Sequence, residues 1–124
     1  MNHDMRATLS GKRVLVVDDE WLIALDVQDI IEGLGCSVMG PVASASAALE
    51  LISTDPPDCA VLDVHILNGT SEPIAAALQK RGCPFVVVTA YQRSHLTGAL
   101  CDAPMLIKPI DERELERTLA GLVR

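Results

Sequence analysis

Four stretches of this chain end in side chains that can bind a cation or handle phosphorus: Asp18-Asp19, Asp63, Thr89 and Lys108. Adjacent carboxylates are hard-oxygen ligands suited to Mg²⁺, which demands octahedral oxygen ligation and usually retains waters. Asp19 and Asp63 can bind such an ion directly, with Asp18 working through water. A carboxylate is also a nucleophile towards phosphorus and forms an acyl phosphate. Phosphoryl transfer then needs chiefly positioning and charge neutralisation, which the cation, the Lys108 ammonium and the Thr89 hydroxyl can supply. Each residue also has a plainer explanation. Asp18-Asp19-Glu20 can be the acid-rich first turn of a helix, Thr89 an ordinary β-branched strand residue, and Lys108 a surface lysine near a turn.

The elements before these residues favour the chemical reading. Residues 13–17, 59–62, 84–88 and 105–107 are short apolar runs, mostly rich in Val, of the kind found in strands buried on both faces of a parallel sheet. A further strand at 37–42 is interrupted by Gly40-Pro41 and suits a sheet edge. Helical spacing of Ile23, Val27, Ile30, Ile31 and Leu34, with Gly35 as the stop, predicts a helix from Trp21. Other helices are expected at 44–53, before Pro56-Pro57, at 72–80, starting around Pro73, and from an Asp111 cap to Leu122. Leu115, Leu119 and Leu122 mark the inner face of the last one. Residues 64–70 read as a loop around Asn68-Gly69, and the weakly patterned 91–103 as a short or irregular helix.

Strand–helix alternation in one short chain predicts a flavodoxin-like (βα)5 fold: a doubly wound parallel five-stranded sheet in the order 2-1-3-4-5. In such a sheet the carboxyl ends of the strands share one edge, so Asp18, Asp19, Asp63, Thr89 and Lys108 converge on one pocket.

The 124 residues fit one domain: a polar leader at 1–11 and a folded unit at 12–124. Trp21, Phe85 and Tyr91 are the only aromatic residues, so the core must be aliphatic. A net charge of −7 opposes unaided binding to nucleic acid or to an anionic membrane. Cys36, Cys59, Cys83 and Cys101 lack the close spacing of zinc or redox motifs and read as buried free thiols. Residues 1–11 hold no signal-peptide core and no run is long enough to span a membrane, which predicts a cytoplasmic protein.

As a set, an acidic pair, a lone Asp, a Thr and a Lys-Pro at successive strand ends resembles the receiver domain of two-component response regulators, over essentially Lys12 to Arg124. The resemblance implies that Asp63 is the phosphoacceptor and that Asp18, Asp19 and Asp63 bind Mg²⁺ with the backbone carbonyl of His65. It further implies that Thr89 is the switch hydroxyl, that Lys108 contacts the phosphoryl group, and that the Lys108–Pro109 bond is cis. The chain departs from the usual pattern in reading Asp63-Val64-His65-Ile66-Leu67-Asn68-Gly69-Thr70 after the phosphoacceptor, and in placing Met105 where an aromatic is usual. Tyr91 can take over part of that aromatic's switching role. The stretch from Pro84 to Tyr91 resembles, more loosely, the single-domain receiver subclass nicknamed FAT GUY.

The expected function is that of a stand-alone phosphoacceptor response regulator, not an enzyme acting on external substrates. By the resemblance, the donor is a sensor histidine kinase or a histidine-phosphotransfer protein. Trp21, Leu22 and Leu25 add apolar surface beside the acids; the resemblance implies that, with Pro109, they dock the donor's helix, and the alternative is a solvent-grazing Trp packed on its own helix. His65 has two readings: a side chain that tunes hydrolysis of the acyl phosphate, or a solvated loop histidine. The downstream protein is not identified, and a homodimer is left open. Two rivals come from other classes. A flavodoxin-like ligand-binding module predicts a phosphate cradle of Gly, Ser and Thr where this chain has acids. A Mg²⁺-dependent phosphatase working through an aspartyl phosphate predicts a second acid two residues after Asp63, where this chain has His65.

Overall fold

Alternating runs of β-branched residues and amphipathic segments dictate the layers of the molecule. The computed structural model describes residues 8–67, 69–90 and 96–123. In chain order the elements are β1 (Arg13–Val17), α1 (Trp21–Gly33), β2 (Ser37–Val42), α2 (Ala45–Thr54), β3 (Cys59–Asp63), α3 (Glu72–Lys80), β4 (Phe85–Thr89), β5 (Met105–Ile107) and α4 (Glu112–Leu122). The five strands form one parallel sheet in the order 2-1-3-4-5, as the sequence pattern predicts.

Side chains alternate across the strands, and the aliphatic core divides into two layers accordingly. Leu15, Val17, Leu62 and Val87 pack on one face with Ile52 of α2 and Ile74 and Leu78 of α3. Val14, Val16, Val61 and Val88 pack on the other with Val27 and Ile31 of α1 and Leu115 and Leu119 of α4. Each fully buried Val, Leu or Ile contributes about 1.5–3 kcal/mol of transfer free energy, so strands apolar on both faces hold both layers without aromatic bulk.

Local chemistry sets the ends of the elements. Ser44 caps α2 by accepting from the Ala47 amide at 3.3 Å, and Asp111 caps α4 by accepting from the Arg113 amide at 3.2 Å. Gly35 takes φ +88° just after α1, the left-handed conformation expected of a helix stop. On β2, Gly40 has φ +93° and precedes a cis peptide bond to Pro41. The register between β1 and β2 slips there, and a Cβ on Gly40 would stand 2.8 Å from the Val42 amide nitrogen. An irregularity of this kind is tolerated because β2 is an edge strand.

Three expectations need correction. The leader does not run loose through residue 11: Leu9 is fully buried in the α1/α4 layer, and Gly11 donates to the Gly35 carbonyl at 2.9 Å. A lone Leu in a polar stretch has no periodicity to announce it, yet its burial alone is worth a core position. Cys36, Cys59 and Cys83 are buried free thiols, but Cys101 is exposed. The stretch after Asp63 is more ordered than a loop, because His65–Ile66 and Gly69–Thr70 pair antiparallel and the Leu67 amide donates to Ala43 at 3.0 Å. Between β4 and β5 the described residues hold a 3-10 turn at Gly98–Leu100, in keeping with a short or irregular helix. Residues 1–7 of the leader, Asn68, Tyr91 and His95 lie outside the described residues. No helix among the described residues is long and apolar enough to cross a membrane.

Candidate functional site

The parallel register brings the chemical side chains to one edge. Val17 pairs with Leu62, Asp63 with Val88, and Thr89 with Ile107, so the ends of β1, β3, β4 and β5 stand in line. Asp18 and Lys108 each lie one residue beyond a strand, anchored by backbone bonds from Asp18 to Val42 at 3.0 Å and from Lys108 to Thr89 at 2.9 Å. The Lys108–Pro109 bond is cis, as the resemblance implies.

Asp18, Asp63 and Thr89 are all buried, and Lys108 reaches into their midst. Its Nζ lies 3.1 Å from Glu20 Oε1, 3.3 Å from Asp63 Oδ1 and 3.7 Å from Asp18 Oδ2. Asp18 also accepts a hydrogen bond from the Glu20 amide at 2.9 Å. Carboxylate oxygens of Asp18, Glu20 and Asp63 all lie within 4.8 Å of one another. A cavity of about 320 Å³ opens above them, lined by Asp19, Glu20, Asp63, His65, Thr89 and Lys108.

Crowded buried acids resist ionisation. Burial is the largest influence on Asp63, the neighbouring Asp18 charge adds to it, and Lys108 only partly offsets both, so its carboxyl is pushed up to about 7. Asp18 is raised by burial too, against the opposing Glu20 amide and Lys108 charge. For Lys108, burial works to lower the ammonium, but the Glu20 hydrogen bond and the charges of Asp63 and Asp18 outweigh it and raise it. Each ion of this group therefore depends on the others. A divalent cation among the carboxylates would replace the proton that Asp63 otherwise favours.

The predicted residues do not all stand equally close. Asp18, Asp63 and Lys108 meet in one contact network, with Thr89 on the cavity wall. Asp19 is exposed and lines the cavity without joining the tight acid cluster. His65 is exposed at the start of the short hairpin, and Met105 is half-buried against the α2/α3 layer. Glu20 is the residue sequence reasoning left without a role. Its signal was the third acid of the run Asp18-Asp19-Glu20, which a helix start explains equally well.

Apolar surface flanks the acids on both sides. Trp21 and Leu22 are each 68% exposed and Leu25 is 44% exposed. Trp21 and Leu25 form one wall of a hollow of about 240 Å³ facing Pro41 and Val42 of β2, with Asp18 and Asp19 at its end. On the other side of α1, Ile23, Val27 and Ile30 face Lys108, Pro109 and Ile110 across a smaller cleft of about 130 Å³.

Residues 14–120 match the family description "Response regulator receiver domain". This chain belongs to the response regulator receiver family. It is 28% identical over 111 residues to the phyllosphere-induced regulator PhyR of Methylorubrum extorquens, covering 86% of this chain and 42% of PhyR. It is 30% identical over 108 residues to the transcriptional regulatory protein PdtaR of Mycobacterium tuberculosis, covering 84% of this chain and 53% of PdtaR. The receiver thus spans about half the length of the curated relatives it matches. Among solved structures, SdrG from Sphingomonas melonis Fr1 superposes with a TM-score of 0.79 at 33% identity, covering 92% of this chain and 98% of SdrG. Receivers are the phosphoacceptor modules of two-component signalling rather than enzymes in the usual sense, and their acidic site typically takes Mg²⁺.

Proposed function

We propose that this receiver takes a phosphoryl group onto Asp63 from a phosphohistidine of a sensor histidine kinase or histidine-phosphotransfer protein, and that the modified site alters a protein-binding surface. The observation that carries the reading is the convergence of Asp63, Asp18 and Lys108 within ion-pair distance at the end of the sheet. An Asp63 carboxylate oxygen attacks phosphorus, the bond from phosphorus to the donor imidazole nitrogen breaks, and the imidazole leaves with the nitrogen electron pair. Lys108 stands 3.3 Å from the attacking carboxylate, where its ammonium can neutralise charge on the phosphoryl oxygens. Thr89, on the cavity wall, supplies a hydroxyl for a further oxygen.

The donor set fits Mg²⁺: Asp18 and Asp63 bring carboxylate oxygens within 4.8 Å of each other, and Asp19 lines the same cavity. Asp18, Asp19 and Asp63, with the backbone carbonyl of His65, would hold the ion. When bound, it supplies positive charge that offsets repulsion between the acids and the incoming phosphoryl group.

The exposed Trp21, Leu22 and Leu25 on one side, and Pro109 on the other, form the face on which the donor's helix docks. His65 tunes loss of the phosphoryl group from its place on the cavity rim, and Met105 and Tyr91 tune the switch. The FAT GUY likeness of residues 84–91 and a cytoplasmic location belong to the same reading. Population shift is the mechanism of output: the phosphoryl group contacts one arrangement of Thr89 and its surroundings better than the other. The test is phosphotransfer from a ³²P-labelled histidine-phosphotransfer protein. Label should pass to wild type and not to Asp63→Asn; equal labelling of both would overturn the assignment.

A further inference from the structure

Phosphoacceptor chemistry gives Glu20 no task, yet its position is specific. It is the N-cap residue of α1, where its side chain makes no capping bond. Instead Oε1 accepts from Lys108 Nζ at 3.1 Å, while its own amide donates to Asp18 Oδ1 at 2.9 Å. One residue therefore clasps both a buried acid and the cation of the site.

Three carboxylates compete for that ammonium, and they differ in accessibility. The Glu20 side chain is 60% exposed, against 8% for Asp63 and 5% for Asp18, and it makes the shortest of the three contacts. Asp63 and Asp18 are fixed at strand ends, but Glu20 can swing into water, where its charge is fully solvated. It is thus the partner that an arriving anion displaces most readily.

We propose that Glu20 is a positioning residue that parks Lys108 in the unmodified protein and must release it as the phosphoryl group arrives, which slows phosphorylation of Asp63. This rests on the reading of Asp63 as phosphoacceptor. A contact present before reaction and lost in the transition state raises the barrier by its own strength. Glu20 also adds negative charge to the mouth of a cavity that an anionic donor must enter, while favouring entry of a cation.

Two substitutions separate these effects. Glu20→Asp keeps the charge but shortens the side chain by one methylene, withdrawing it from Lys108. Glu20→Gln keeps the shape and removes the charge. The protein would be phosphorylated with acetyl phosphate at saturating Mg²⁺ and followed by intact mass, and Mg²⁺ affinity would be read from Trp21 fluorescence. Both variants should raise the maximal phosphorylation rate, by about two- to fivefold for a partly exposed ion pair. Glu20→Asp should keep the wild-type Mg²⁺ affinity and donor KM, whereas Glu20→Gln should weaken Mg²⁺ and lower KM. Unchanged or reduced maximal rates in both variants, with wild type still modified at Asp63, would overturn the parking role alone. Failure of wild type to gain a phosphoryl group on Asp63 would remove both readings together.

Discussion

Lys108 Nζ lies 3.3 Å from Asp63 Oδ1, an ion pair between the ends of β5 and β3 that crosses the end of the intervening strand β4. With the lysine side chain only 14% exposed, the pair is screened far less than a surface salt bridge. Lys108→Ala should therefore cut the rate at which Asp63 gains a phosphoryl group by about 10²-fold, the scale seen when one preorganised donor is removed from a transition state. It should also lower the stability of the metal-free protein by about 1–3 kcal/mol, because two buried acids lose their partner. Phosphorylation kinetics and urea unfolding at pH 8 check the two halves separately.

The raised Asp63 carboxyl makes stability depend on pH. Its folded value is about 7 against an ordinary 3.8, so the folded chain holds this proton more tightly than the unfolded chain does. The associated stability is present in full below the ordinary value and is lost as pH rises through about 7. Asp18, also raised, acts in the same direction. The metal-free protein should thus melt at a lower temperature at pH 8 than at pH 5, and Asp63→Asn should flatten the slope. Mg²⁺ should raise the melting temperature at pH 8 and do little at pH 5, where the proton competes with it. Thermal scans with and without chelator read this directly.

Much of this arrangement was legible in the sequence because it is written in short, repeated signals. Apolar runs at 13–17, 59–62, 84–88 and 105–107 each stop at a polar residue, and a parallel sheet must bring such stops together. Other features left no local signal. Leu9 is a lone leucine in a stretch without apolar periodicity, and its burial comes from packing with residues of α1, α4 and the sheet that lie far along the chain. The hairpin after Asp63 has two residues per strand, too few for any alternation to register. Glu20 was hidden for the opposite reason, since an acid at a helix start has an ordinary explanation that conceals its contact with distant Lys108.

Burial of Leu9 makes residues 8–12, just before β1, part of the fold. Leu9→Ala should cost about 2–4 kcal/mol, the range for emptying a buried leucine site. Equilibrium unfolding in urea measures it. A change below about 0.5 kcal/mol, typical of a surface substitution, would return this segment to the status of a leader.

Exposed Trp21 offers a way to separate docking from chemistry. Trp21→Ala removes a side chain that is 68% exposed, so stability should move by no more than about 0.5 kcal/mol. Phosphotransfer from a protein donor should fall about tenfold or more, as for an aromatic anchor at an interface. Phosphorylation by acetyl phosphate should be unaffected, since that donor needs no docking face. Equal loss with both donors would place the effect at the acid site instead.

The account depends most on Asp63 as the atom donor to phosphorus. Incubation of wild type with Mg²⁺ and acetyl phosphate, followed by intact mass measurement, should show one phosphoryl adduct that is labile to hydroxylamine and absent from Asp63→Asn. No adduct on wild type, or the same adduct on both proteins, would contradict it.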